Sequence, residues 1–426
     1  MTLPYDFDLW EMRYLNHDAT FPTGFTAGNH ATWDTATKLR FQDLDFSELK
    51  QASIPDPSVQ DRFMGRPHPI STLRGGREQM ALKFKMWLPG GSNTTSAEET
   101  VKLMEMVMGG LKSPTAITDA AEAGCSVTNI KATGHGQVVG QGSLYGVLAD
   151  GYADGKFGVM KTRTDADQYD LFMALPGIPQ AADAIKNGHT LYVDWENESY
   201  QSFLLIGSYP GSGVADDSVC MNIIGCSGTL AFGGLVAAEK PWVEFTFLVG
   251  DWRWEPYATT GAFTKTTDPE GEDPAGDRGI GSLTLQDAGT TTRATVPGGD
   301  LEVNLNMELV PIIDPQGVNG IGGWKKVRAE NGATIACTAY WDDMPGRRND
   351  FTAGTDKQVA FVCGHAAEAT VAFEMQKAQL LEDPTAIEYE RMLGQRLMFE
   401  GDSGDATDES TADFKLQDAP IRVHVL

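Results

Sequence analysis

The chain has 426 residues, 41% hydrophobic and 22% charged, the balance of a folded protein with room for two or three ordinary cores, which excludes wholesale disorder. Lys and Arg number 33 against 59 Asp and Glu, so the formal net charge is -26. Such a surface repels phosphates instead of displacing their counterions, which excludes a chain that grips DNA by charge.

The opening residues, Met1-Thr2-Leu3-Pro4-Tyr5-Asp6-Phe7-Asp8, carry acids and no apolar run, so neither a secretory signal nor an anchor is expected there. No later stretch is apolar over a transmembrane length. A first strand is expected at Lys38 to Leu44, followed by a loop from Gln51 to Arg74 that holds Pro67-His68-Pro69 and is too long for a hairpin turn. Met80, Leu82, Phe84, Met86 and Leu88 recur at period two, which places them on one face of a strand.

Next, Ser96-Ala97-Glu98-Glu99 reads as a capping box, and Val101, Met104, Val107, Met108 and Leu111 fall on one helical face. Gly109-Gly110 weakens the last turn, and the Met-rich stripe reads as packing against a sheet. Apolar or β-branched runs then predict strands at Gly140 to Leu148, Leu191 to Trp195 and Phe203 to Tyr209. Val243, Phe245, Phe247 and Val249 alternate as a further strand.

From Pro256 to Gly281 the chain is rich in Thr, Gly, Pro and acids and has no periodicity. This predicts a first domain over 1–255, a linker over 256–280 and a second domain over 281–426. The cleanest alternation follows, with Leu301, Val303, Leu305, Met307 and Leu309 on one side and Asp300, Glu302, Asn304, Asn306 and Glu308 on the other. One side suits a core and the other suits water.

A second long loop is expected from Ile312 to Asn331, containing Pro315-Gln316-Gly317, before strands at Ile335 to Trp341 and Thr370 to Met375. Asp383 and Pro384 are placed to cap and start a short helix from Thr385 to Leu393. A solvated loop is expected at Gly401 to Thr411, and Ile421, Val423 and Val425 predict a closing strand. Each half thus runs from an opening strand through a long loop to a long strand, further strands and a closing strand, the pattern of a duplication. The fold class expected is mainly β and antiparallel, with little helix.

Catalytic and metal chemistry is sparse. Five cysteines, Cys125, Cys220, Cys226, Cys337 and Cys363, are too scattered for a disulfide framework and read as small buried hydrophobes. Cys363-Gly364-His365 has no second ligand pair, and Gly134-His135-Gly136 with Gly140 lacks the spacing and βαβ setting of a dinucleotide site. Asp194-Trp195-Glu196-Asn197-Glu198 would suit a glycosidase, yet alternation points Asp194 and Glu196 to one exposed side as a solvated rim. No enzyme activity, cofactor or metal is expected.

Three passages resemble the tail tube proteins of tailed phages. Gly134-His135-Gly136-Gln137-Val138-Val139-Gly140 is similar to the glycine-punctuated segment after the helix of tube domains. Cys220-Met221-Asn222-Ile223-Ile224-Gly225-Cys226-Ser227-Gly228-Thr229-Leu230 with Trp242-Val243-Glu244-Phe245-Thr246-Phe247 resembles their paired closing strands, and Phe414 to Leu426 resembles the strand ending a second domain.

The resemblance implies two tandem antiparallel β-sandwich or barrel domains, each with a long inter-ring loop. It further implies a virion structural protein assembled in the host cytoplasm, with homotrimers stacking as pseudo-hexameric rings through which DNA passes. Its partners would be further copies of itself and the tape measure, terminator and baseplate or tip proteins, with no membrane. Glu302, Asn304, Asn306 and Glu308 are the candidates to line the bore, although the same face would equally suit outside water. Two other readings stay open: a carbohydrate-binding or glycoside-cleaving tail-tip protein, and a capsid decoration protein.

Overall fold

A computed structural model describes residues 11–17, 37–49, 52–55, 72–75, 80–88, 99–114, 118–120, 122–133, 144–149, 152–163, 167–171, 174–175, 177–181, 184–207, 219–235, 240–256, 281–287, 290, 293–318, 321–329, 332–340, 344–363, 370–389, 391–402 and 414–425. The capping box at Ser96, the glycines at 134–140 and the stretch 257–280 lie outside them.

The protein is mainly β, and every strand pairing among the described residues is antiparallel. In chain order the first half holds β1 (Glu11–Asn16), β2 (Thr37–Leu39), β3 (Gln42–Asp45), β4 (Ala52–Pro55), β5 (Thr72–Gly75) and β6 (Met80–Trp87). Helix α1 (Glu99–Met108) and β7 (Gly109–Lys112) follow. Six strands then form a sheet of their own: β8 (Thr118–Ala120), β9 (Asn129–Lys131), β10 (Leu144–Ala149), β11 (Tyr152–Arg163), β12 (Gln168–Leu171) and β13 (Ala184–Asn187). The half ends with β14 (His189–Val193), β15 (Gln201–Gly207), β16 (Val219–Gly233), β17 (Trp242–Val249) and β18 (Asp251–Pro256).

The second half holds β19 (Gly281–Asp287), β20 (Arg293–Asn304), β21 (Met307–Val318), β22 (Ile321–Arg328), β23 (Ala333–Tyr340), α2 (Met344–Ala353), β24 (Lys357–Cys363) and β25 (Val371–Leu380). It closes with β26 (Thr385–Tyr389), β27 (Met392–Gly401), α3 (Phe414–Gln417) and β28 (Arg422–Val425).

The pairings reveal one plan used twice. In the second half β20 pairs β19, then β24, β25, β27 and β23 follow, and β23 returns to the far end of β20, closing a ring. In the first half β2 pairs β1, then β15, β16, β17 and β6 follow, and β6 returns to β3, so this ring is completed by the chain between Leu39 and Gln42 and not by a strand pairing. The side branch repeats as well: β18 pairs the early part of β16, as β28 pairs the early part of β25. A hairpin leaves each ring at the same place, β4–β5 between β3 and β6, and β21–β22 between β20 and β23. A helix follows β6 and another follows β23. Among the described residues the first half has an excursion from β7 to β14 without a counterpart in the second, and the second has β26 without a counterpart in the first.

Both rings are filled. Phe84, Phe203, Phe245 and Phe247 meet inside the first, with Phe203 and Phe247 4.7 Å apart edge to face. Leu283, Val303, Ile335, Phe361, Phe373 and Phe399 fill the second, and the two fillings belong to one continuous buried cluster. Phe232 of β16 against Phe373 of β25, 4.9 Å apart, is one joint between them. A second joint is a strand crossing between halves: β14 pairs β28, so the ten-stranded sheet contains β7 and β14 as well as β19–β20 and β23–β28.

Alternation was faithful where a ring interior lies on one side. Met80, Leu82, Phe84 and Met86 are buried along β6, and Val243, Phe245, Phe247 and Val249 along β17. Helix α1 buries Val101, Leu103, Met104, Val107 and Met108, and it ends where Gly109 takes φ +97, a conformation in which any Cβ would meet the Asp194 carbonyl oxygen at 2.8 Å. Cys226, Cys337 and Cys363 are buried, and burial pushes the Cys337 and Cys363 thiols up to about 12.

Three expectations are corrected. The span Thr385 to Leu393 is no helix but the hairpin of β26 and β27, because Ile387 and Tyr389 are held by pairing to Gly394 and Met392 and Arg391 turns the chain at φ +65. The stretch Ile312 to Asn331 is no loop but most of the β21–β22 hairpin. The strand foreseen from Asp300 to Leu309 is two strands, broken at Asn306, whose φ is +50 and whose backbone N–H donates to the Asn304 side chain at 2.8 Å.

Helix α2 was not foreseen. Its sequence MPGRRNDFTA has no apolar stripe, and the legible signals were only Pro345 near its start and Gly354 just past its end.

Candidate assembly surface

The break at Asn306 distributes the four candidate residues. Glu302 and Asn304 stay on the outer face of β20, where both are exposed and the Glu302 carboxylate accepts a hydrogen bond from Arg396 at 2.8 Å. Glu308 is exposed on β21. Asn306 sits at the junction, with its carbonyl accepting the Ala329 N–H at 2.9 Å and its side-chain nitrogen buried without a hydrogen bond among the described residues. The structure therefore brings no common face to all four, because the chain leaves the ring between Leu305 and Met307.

What it builds at that junction is an arm. One face of the β21–β22 hairpin lies on the rim of the first ring. Trp324 is fully buried there, donating its indole N–H to the Gly225 carbonyl at 3.0 Å, while Tyr200 donates its hydroxyl to the Trp324 carbonyl at 3.2 Å. Lys326 donates to the Asn197 carbonyl at 2.7 Å. Further along β21, Val310 45%, Ile312 43% and Ile313 62% stay exposed, an apolar stretch of the arm without full cover among the described residues. The rim beneath the arm, at Tyr200 and Leu248, is the same end of the first ring from which β4–β5 departs, since Leu248 pairs Ala81 near the start of β6. Both hairpins thus leave from one side of the molecule.

Lys326 gives this anchor a pH signature. Burial lowers its ammonium from 10.5 to about 8, against the pull of Asp194 and Glu198. Between about pH 8 and 10.5 the unfolded chain holds the proton that the folded chain has lost, so folding stability rises with pH across that window. Relative to Lys326→Met, the wild type should gain about 3 kcal/mol between pH 7 and 10.5. Urea titrations at both pH values check this, and a constant difference would refute it.

Asp194 is a correction to the rim reading. The strand β14 ends at Val193 and the chain turns, so Asp194 is buried, with both carboxylate oxygens 3.0 Å from Lys415 Nζ. Glu196 stays exposed and reaches the same ammonium at 2.8 Å.

Beside the arm's base lies a cavity of about 430 Å³ lined by Trp195, Leu305, Asn306, Arg328, Glu400 and Asp402 among others. The Arg328 guanidinium lies 5.4 Å from the centre of the Trp195 ring, and Glu400 accepts the Gly332 N–H at 3.0 Å. The sequence reading touched Trp195, Leu305 and Asn306 separately and gave no sign that they meet here.

The far end of the second ring is apolar too. Tyr340 pairs Gly394 there while Ala333 pairs Gly401 at the arm end, seven residues or about 23 Å away along the strands. Met392 is 61% and Leu393 55% exposed beside Arg391. Trp87, 40% exposed, holds the corresponding end of the first ring, where it pairs Trp242.

Among the described residues no His, Cys, Asp or Glu cluster is arranged to hold a metal, and no helix is long and apolar enough to cross a membrane. No protein-family model matches the chain, and no curated protein matches it.

Proposed function

We propose that this chain is a virion structural protein of the tail tube class, which polymerises as stacked rings around a channel for DNA. The observation that carries the reading is the tandem repeat of one ring-shaped, arm-bearing unit in a single polypeptide. A chain with two equivalent units can complete a six-unit circle as a homotrimer.

The placement of apolar surface supports stacking. Val310, Ile312 and Ile313 lie on the arm side, and Trp87, Met392 and Leu393 lie on the other. A contact between unlike ends cannot close on a pair, so it propagates as an open column. In such a column Glu302 and Asn304 are the residues we assign to the bore, with Glu308 and Asn306 moved to the contact between rings. Tape measure, terminator and baseplate or tip proteins would meet the column at its ends.

Electron microscopy of the purified chain tests the reading. Rings or tubes with a central hole are expected, with solution mass in multiples of a trimer and a reconstruction that puts Glu302 on the bore wall. Compact monomers at every concentration would overturn it.

A further inference from the structure

We propose that the cavity beside the arm is a socket for a second copy of this chain, and that its occupant is the Arg391-Met392-Leu393 turn of that copy. The inference rests on the head-to-tail reading above and names the contact that would join one ring to the next.

Position comes first. Leu305, Ala333, Glu400 and Gly401 line the cavity at one end of the second ring, and residues 391–393 occupy the other end of the same ring. Stacked copies therefore bring the turn of one to the cavity of the next, with one such contact per chain.

Chemistry fits the position. Trp195 and Leu305 give the cavity an apolar wall for Met392, whose side chain has none of its own. Glu400 and Asp402 supply carboxylates, and the Asp402 side chain is 67% exposed beside its partner Lys377. Arg391 is exposed and makes no ion pair among the described residues.

Arg391 adopts φ +65 because the tight turn after Tyr389 demands it, and the exposed guanidinium is carried at the tip of that hairpin.

The test is a charge exchange in the full chain, read as the lowest concentration at which sedimentation and electron microscopy detect polymer. Arg391→Glu and Asp402→Lys should each raise it by about tenfold or more, and the two together should bring it back towards the wild-type value. Circular dichroism verifies folding, since both side chains are exposed, and Arg391→Gly separates backbone relief from loss of charge by weakening assembly in a well-folded chain. If Arg391→Glu polymerises at the wild-type concentration, or the double variant is no better than the singles, the socket is refuted while stacking stands. A wild type that never polymerises overturns both.

Discussion

Chains carrying Val310→Ser, Ile312→Ser and Ile313→Ser together should fold like the parent and fail to polymerise. In the single chain these residues are already 45%, 43% and 62% exposed, so their replacement removes little that the folded monomer uses. Fully burying an aliphatic side chain is worth roughly 1.5–3 kcal/mol, so covering the exposed half of each is worth roughly 1 kcal/mol. Three of them bring the effect to about 3 kcal/mol, roughly a hundredfold in association. Sedimentation of the variant against the parent measures this, with far-UV circular dichroism as the folding control. Unchanged assembly would show that the arm's outer face meets solvent in the polymer as it does in the monomer.

The largest effect on stability is expected from Trp324→Ala, at about 3–5 kcal/mol. The ring is fully buried between the arm and the first ring, packed with Tyr200 and Ile321, and its removal leaves both a cavity and a Gly225 carbonyl without its donor. The variant should show a lower urea midpoint and faster tryptic cleavage after Lys325 and Lys326, because the arm leaves the surface before the rings melt. A loss under about 1 kcal/mol would mean that the arm contributes little to joining the halves.

The sequence was most readable where a strand has a ring interior on one side and a wetter face on the other, as in Met80 to Met86 and Val243 to Val249. It misled where the same alternation ran through a turn. Leu305 and Met307 keep period two, but Asn306 between them is a residue type that tolerates positive φ, and it ends one strand and begins another. At Thr385 the Asp-Pro start signal was local, whereas the pairing of β26 with β27 is tertiary and prevailed. Pro315 and Gly317 made the arm look like a loop, and edge pairing in a two-stranded hairpin tolerates them. The duplication was visible in outline only, since the excursion from β7 to β14 interrupts the first copy. Of the cavity, Trp195, Leu305 and Asn306 were each noticed for other reasons, and their meeting with Glu400 and Asp402 was not, because these residues come from distant segments that no spacing links.

The crossing of β14 onto β28 fixes an order of events during synthesis. Thr190 and His424, which share a hydrogen bond of 3.0 Å in that crossing, are 234 positions apart. At ribosomal speed the earlier strand waits on the order of 10–50 s for its mate. During that interval its bare edge is a template for wrong partners, including the same strand on a neighbouring nascent chain. Only a polypeptide translated through Val425 can cover it, so early-terminated products are left sticky and poor in native contacts, easy prey for proteases.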